Sequence, residues 1–558
     1  MIDRYRFRAA VGALLAAFAG VTGLASCTPK GPTVVTPTLP GDGQVNVAPV
    51  EDPPVDTTPK DEWSGRTDLI TAPPAPAPAA VPLPPIDRFT LSNGLEVIAV
   101  HSDALPTFSM QLVVKVGRAD EPRVRLGIAE LTANLLLKGS KKRDALRLAT
   151  DIDFVGGTMN ADATYEATIV GCGVMARDLQ TCMKAVAEVA SQPAFAPSEI
   201  GKMKQEMLAN IRQRLDDADQ LASLHAQNLL WSDAHVRGWV LGESDLAVLQ
   251  RPDLLAWHKA WFVPNNAVLI VAGNFNRSNI KRDVTAAFAG WKRGAVPPHP
   301  QFGTPALNGT RIRLVDKPGQ TQTQIRIAHY GIAHTDAGFF DALVWNYAFG
   351  GGAFSSRLMK VVRSAGGKTY GASSAFDRNL DRGSFVVSTF TRNAEALATT
   401  KMLLDELKKM HASGPTDDEV AAAVANLAGS YAMRFEGAAA FATALVGAEL
   451  HGYNEQYVAS YPLQLGRVTR ASAAEAAQRM IDPANYVIVM VGDAKDLEPQ
   501  LQRAGWRFEK RSFADPITEP LHDAQLPDMT PEAEVAGKKW IADALAAKGG
   551  ATVLRGVK

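Results

Sequence analysis

One apolar segment of this chain occurs twice, and that recurrence constrains its fold more than any other feature. Pro264-Asn-Asn-Ala-Val-Leu-Ile-Val-Ala-Gly273 returns 219 residues later as Pro483-Ala-Asn-Tyr-Val-Ile-Val-Met-Val-Gly492. Upstream, the strand-like pair in residues 95–116 has a counterpart in residues 311–329 at nearly the same offset. Two copies of roughly two hundred residues imply two similar domains side by side. Length agrees, since 558 residues exceed what one hydrophobic core organises.

Within each copy the pattern runs strand, strand, helix, helix, strands, then long helices and a closing strand. Residues 90–100 and 108–116 alternate as strands do, whereas 126–138, 143–154, 176–192 and 197–216 carry helical periodicity. Pro197 followed by Glu199 is a good helix start. The expected fold class is α+β, each domain a sheet with helices packed on one face, over residues 87–300 and 301–512. Lys+Arg and Asp+Glu are both 58, so the chain carries no electrostatic footprint for nucleic acid.

Residues 1–27 read as a targeting segment. Arg4, Arg6 and Arg8 precede an apolar run over 9–24 that is shorter than the roughly 20 residues a spanning helix needs. The run ends in Leu24-Ala-Ser-Cys27, which matches the bacterial lipobox at every position. Acylation of Cys27 would anchor the mature protein to a membrane without spanning it. Thr28, where an aspartate would favour inner-membrane retention, points to the outer membrane, facing the periplasm. Residues 28–86 are proline-dense and poor in large apolar periodicity, and read as a disordered tether. Residues 513–558 form a tail with one helix over 531–547, to which no function is assigned.

Three motifs carry a further signal: Gly127-Ile-Ala-Glu-Leu-Thr-Ala-Asn-Leu-Leu-Leu-Lys-Gly139, Gly156-Gly-Thr-Met-Asn160-Ala161, and Gly350-Gly-Gly-Ala-Phe-Ser-Ser-Arg-Leu-Met-Lys-Val-Val-Arg363 with Tyr370 seven residues on. Together they resemble the pitrilysin-like, insulinase-type zinc metallopeptidases over about residues 87 to 510. The resemblance implies paired α+β domains closing like a clamshell around a peptide cavity. In that family the first motif is a helix bearing His-x-x-Glu-His, two zinc-binding histidines and a glutamate that activates water. Here those positions hold Glu130, Ala133 and Asn134. An Asn amide is a poor zinc donor, and Ala133 cannot act as a base. The third family ligand, a glutamate on a later helix, aligns with Gly201; a shifted register would offer Glu199 or Glu206, each without histidine partners. This chain is therefore expected to bind no metal or other cofactor.

The other two motifs are retained. The resemblance makes Arg363 and Tyr370 donors to the scissile carbonyl, where a guanidinium and a phenol stabilise the oxygen as it gains charge. It makes Asn160 and Ala161 part of an edge strand along which peptide lies by strand addition, and places Gly350, Gly351 and Gly352 at the substrate. His235, in a loop the family also has, reads as structural. No His-x-x-Glu-His, Gly-x-Ser-x-Gly or phosphate-binding loop occurs elsewhere. Cys172 and Cys182 are either a disulfide, if their α-carbons lie within about 7 Å, or two small buried side chains. The resemblance thus implies the zinc-less, arginine/tyrosine-bearing subunit of a heteromeric peptidase whose zinc sits in a partner subunit. A peptide-binding or scaffold lipoprotein of the same fold is the alternative.

Overall fold

The computed structural model describes Arg66 and residues 75–365, 367–435, 437–521 and 539. The targeting segment with Cys27, most of the proline-rich stretch and the tail helix expected at 531–547 lie outside the described residues. The chain divides at Pro76 and Ala77, and the unit from Ala77 onward holds both copies of the repeat.

The first copy contributes strands β1 (Ile86–Thr90), β2 (Glu96–His101), β3 (Thr107–Val114), β4 (Thr158–Ala163), β5 (Thr168–Met175) and β6 (Ala267–Gly273). Its helices are α1 (Ile128–Leu136), α2 (Ala145–Phe154), α3 (Leu179–Ser191), α4 (Pro197–Gln213), α5 (Ala218–Trp231), α6 (Glu243–Val248), α7 (Arg251–Trp261) and α8 (Arg277–Phe288). The second copy contributes β7 (Arg311–Asp316), β8 (Gln322–Tyr330), β9 (Ala372–Phe376), β10 (Ser384–Arg392), β11 (Val487–Gly492) and β12 (Glu509–Ser512). Its helices are α9 (Phe339–Asn346), α10 (Ala396–Ser413), α11 (Asp417–Gly429), α12 (Ala438–Leu450), α13 (Glu455–Leu465), α14 (Arg470–Met480) and α15 (Ala494–Arg503).

The sheets run β1-β2-β6-β3-β5-β4 and β12-β7-β11-β8-β10-β9. Five strands correspond one to one, and the recurring segments of the sequence are β6 and β11. Each lies parallel to the first strand of its core pair and antiparallel to the second. Only the sixth strand differs: antiparallel β1 closes the first sheet and parallel β12 the second.

As expected, each sheet packs its own copy's helices on one face, and the other face is covered by a helix from the other copy. Leu269 and Val271 of β6 face a core with α1, α3 and α8, while Val268 and Ile270 face Phe441, Leu445 and Val446 of α12, from the second copy. In β11, Ile488 and Met490 face their own helices, and Val487, Val489 and Val491 face Leu221, Leu229 and Trp231 of α5, from the first copy. Each copy lends one helix to the other's open sheet face. That exchange explains why β6 and β11 are apolar at every position, the signature of strands buried on both sides. Polar side chains pin α5 in place: Arg313 donates to Asn228 at 3.0 Å, and Arg326 donates to Asp219 at 2.5 Å.

Two boundaries also change. Residues 90–100, read as one strand, are a hairpin: β1 ends at Thr90, Leu91–Leu95 turns, and Thr90 pairs with Glu96. Ser92-Asn93-Gly94 supply the turn, a local signal that alternation alone overrode. The stretch read as a tether to residue 86 is docked from Val81 on; Val81 is buried, and its N–H donates to Ala459 O at 2.9 Å. Cys172 of β5 and Cys182 of α3 form a disulfide, with α-carbons 5.9 Å apart.

Candidate functional site

Helix α1 carries the degenerate positions. Ile128, Leu131 and Leu135 seat it in the first core. Glu130 is exposed, Ala133 buried and Asn134 half-buried. Ala133 offers no donor atom and Asn134 only an amide, so these residues do not fit zinc. On α4, Gly201 is exposed, Glu199 pairs with Lys202 at 2.7 Å, and Glu206 is half-buried. Among the described residues, no group of three or more His, Cys, Asp or Glu side chains could hold a metal ion. At the start of α1 sits a residue the sequence did not single out. Glu121 is buried and accepts the Gly127 and Ala129 N–H groups at 3.1 and 2.8 Å, filling the role of a cap from outside the helix. Burial pushes its carboxyl up to about 7, against those two hydrogen bonds and the charge of Arg118, which lower it.

Strand β4 is the sheet edge that the Gly-Gly-x-x-Asn-Ala motif led one to expect. It pairs with β5 alone, Asn160 opposite Gly171. Asn160 is exposed, with its amide donating to Asp162 at 2.9 Å, and Ala161 points into the core. The side of the backbone facing away from β5 therefore has no strand partner among the described residues, which is the arrangement strand addition needs.

The Arg363 and Tyr370 segment is built from two stretches of wide helical turn, Tyr347–Gly351 and Met359–Ala365. Such turns are rare and often mark functional positions. Arg357 anchors the second stretch through a two-pronged pair with Glu419 at 2.7 and 2.6 Å. The chain then reverses: Gly367 donates to Arg363 O and Lys368 to Val362 O, both at 3.0 Å. Gly367 has φ +58°, a conformation that favours glycine. Buried Thr369 and the Thr389 hydroxyl both bond Gly371 O, at 3.0 and 2.7 Å, and Lys368 pairs with Glu395 at 2.7 Å. With its neighbours tied down, Tyr370 is left 80% exposed. The Arg363 guanidinium lies 4.6 Å over the exposed ring of Phe354, a contact that holds a cation in place without neutralising it. Both side chains thus emerge from one reversal that feeds the edge strand β9.

Gly350 and Gly352 are buried, and Gly351 is half-buried. A Cβ on Gly350 would lie 2.7 Å from both Leu358 Cδ1 and Ser374 N. At Gly350 the first wide turn packs closely against β9, whereas Gly351 and Gly352 lie against Asn346 and Tyr347. His235 is structural as well: its Nδ1 accepts the Arg237 N–H at 3.0 Å, its ring lies 4.4 Å from Trp231, and burial pulls its pKa down to about 4.

Residues 96–239 match the family model described as Insulinase (Peptidase family M16), and residues 249–427 match that described as Peptidase M16 inactive domain. The chain belongs to the M16 peptidase family. Its curated M16 relatives include an uncharacterised zinc protease of Streptomyces coelicolor, 29% identical over 374 residues, which cover 65% of this chain and 80% of that protein. Another, from Mycobacterium tuberculosis, is 28% identical over 401 residues, covering 71% and 90%. Among solved structures, a peptidase M16 inactive domain from Pseudomonas fluorescens has a TM-score of 0.68 at 23% identity, covering 73% of this chain and 98% of that one. The first half of the periplasmic protease PqqL from Escherichia coli has a TM-score of 0.60 at 16% identity, covering 76% and 95%. At those identities the two structures speak to the fold alone. The M16 inactive-domain match includes Gly350 through Tyr370, and the M16 match to the first half includes the donor-poor α1.

Proposed function

We propose that this chain is the zinc-less subunit of a two-subunit M16 peptidase, contributing Arg363 and Tyr370 to a site whose metal and base come from a His-x-x-Glu-His partner. The observation that carries this reading is the contrast between the halves: α1 has lost its donors, while the reversal bearing Arg363 and Tyr370 is fully braced and opens to solvent. In the joint site, the guanidinium and the phenolic hydroxyl would donate to the peptide carbonyl oxygen as it gains charge. The unpaired edge of β4, with Asn160 and Ala161, would take the peptide main chain. Lipid attachment at Cys27 would hold the subunit at the periplasmic face of the outer membrane. An oxidising compartment suits the Cys172–Cys182 bridge.

A scaffold that binds peptide without assisting hydrolysis is the second reading, favoured by the stacking of Arg363 on Phe354. Reconstitution with the zinc-bearing chain that co-purifies separates the two. Arg363→Ala and Tyr370→Phe should lower turnover by roughly a hundred- to a thousand-fold, with zinc content and complex size unchanged. Full activity in both variants establishes the scaffold reading.

A further inference from the structure

The half of the molecule that has lost its chemistry grips the half that has kept it. Strand β9 follows Tyr370 by one residue and is a sheet edge, hydrogen-bonded to β10 alone. An edge strand has only one ladder to hold it, so its position depends on what grips its ends. The Tyr370 end is held by Thr369 and Thr389. The other end is the β9–β10 turn over residues 377–383, and the first half takes hold of that turn through side chains.

Arg237, 5% exposed, is the centre of this grip. Its guanidinium donates to the Asp381 carboxylate and, at 3.2 Å, to the Asn379 side-chain oxygen; it also lies 3.6 Å from Asp377. It is stacked 3.9 Å from the Tyr165 ring, whose hydroxyl donates to the other Asp381 oxygen at 3.1 Å. Glu166, beside Tyr165 in the β4–β5 turn, accepts the Leu380 N–H. At the base of the turn, Trp231 of α5 donates its indole N–H to Ser384 at 2.9 Å. Charge-assisted hydrogen bonds to a buried guanidinium are the strong kind, and its planar donors fix direction as well as distance. The grip also joins the turns of the two sheet edges: β4, offered for the peptide main chain, and β9, which carries on from Tyr370.

We infer that Arg237, with Tyr165 and Glu166, positions strand β9 and through it Tyr370, so that the donor-less first half acts as a clamp on the second. This rests on the proposed role of Arg363 and Tyr370, but the clamp has a readout of its own. None of the three touches the reacting atoms; they are positioning residues.

The test uses two near-isosteric variants of the full chain, Asp381→Asn and Glu166→Gln, with Asp87→Asn, which breaks the exposed Arg277 pair, as control. Hydrogen exchange of the free protein reads the clamp directly. Amides of residues 372–376 and 384–388 should exchange about ten-fold faster in Asp381→Asn and Glu166→Gln, with β2 and β6 unchanged and the control matching wild type throughout. In the reconstituted complex, both variants should lower kcat several-fold at unchanged KM, because the peptide edge β4 is intact and only the donor is displaced. Unchanged exchange in the β9–β10 hairpin overturns the clamp whatever the activity. Faster exchange with full activity, where Tyr370→Phe is impaired, overturns the positioning role. Faster exchange with Tyr370→Phe also fully active leaves the clamp standing and sinks the catalytic reading instead.

Discussion

Glu121 offers a test of the reasoning about buried charge. It is fully enclosed at the head of α1, where desolvation raises its carboxyl from 4.5 to about 7. The native state therefore binds this proton more tightly than the unfolded chain does. Stability from this group is complete below about pH 4.5, falls as pH rises toward about 7 and is level above, a loss of about 3 kcal/mol. Glu121→Gln removes the ionisation and keeps one oxygen for the Ala129 N–H, but turns an amide NH2 toward the Gly127 N–H, at a cost of about 1 to 2 kcal/mol at every pH. The variant should thus be less stable than wild type near about pH 4.5 and more stable, by about 1 to 2 kcal/mol, near about pH 8. Urea unfolding of both proteins at several pH values, read by tryptophan fluorescence, measures the crossover. A Gln variant that is less stable by the same amount at every pH would refute the argument. It would mean that the helix N-terminus and Arg118 outweigh desolvation and keep the carboxylate ionised.

The remaining predictions concern packing, cross-linking and location. Leu445→Ala in α12 removes a fully buried side chain from the face of the first sheet and should cost about 2 to 5 kcal/mol, with limited proteolysis showing the copies separating more readily. Cys172→Ser with Cys182→Ser opens a loop of sequence separation 10 and should lower stability by up to about 3 kcal/mol, an effect that reductant reproduces in the wild type but not in the variant. Gly350→Ala sets a methyl against Leu358 and the backbone of β9 and should cost about 1 to 3 kcal/mol in a thermal melt. Cys27→Ala should move the protein from the membrane fraction to the soluble periplasm or leave its leader uncut, read by fractionation and intact mass.

The glycine run shows how a motif can be legible in position while its local structural reason is not. At Gly350 a close approach to Leu358 and the backbone of β9 demands glycine. A string of letters does not say whether a missing side chain makes room for a ligand or for another strand. Arg237 and Glu121 left no mark at all. A charged residue in a loop reads as solvated until the fold brings three partners around it, and those partners lie 140 or more residues away for Arg237.

The edge position of β4 was implied by the family resemblance. The sequence by itself determined the two-fold repeat and the α+β class, written in the period of apolar residues, and the side-chain chemistry of Glu130, Ala133 and Asn134 on α1. Strands β6 and β11 are apolar without alternation, a pattern that calls for a cover on the second face of each sheet as well. Only the tertiary structure decided what covers the second face of each sheet. Helix α12 is apolar around most of its circumference and α5 carries only a weak apolar stripe, so pattern alone gives neither helix an address. The address is supplied by packing: the chain reaches across, and Arg313, Arg326 and Arg237 find carboxylates, amides and ring faces that exist only once the two copies have docked.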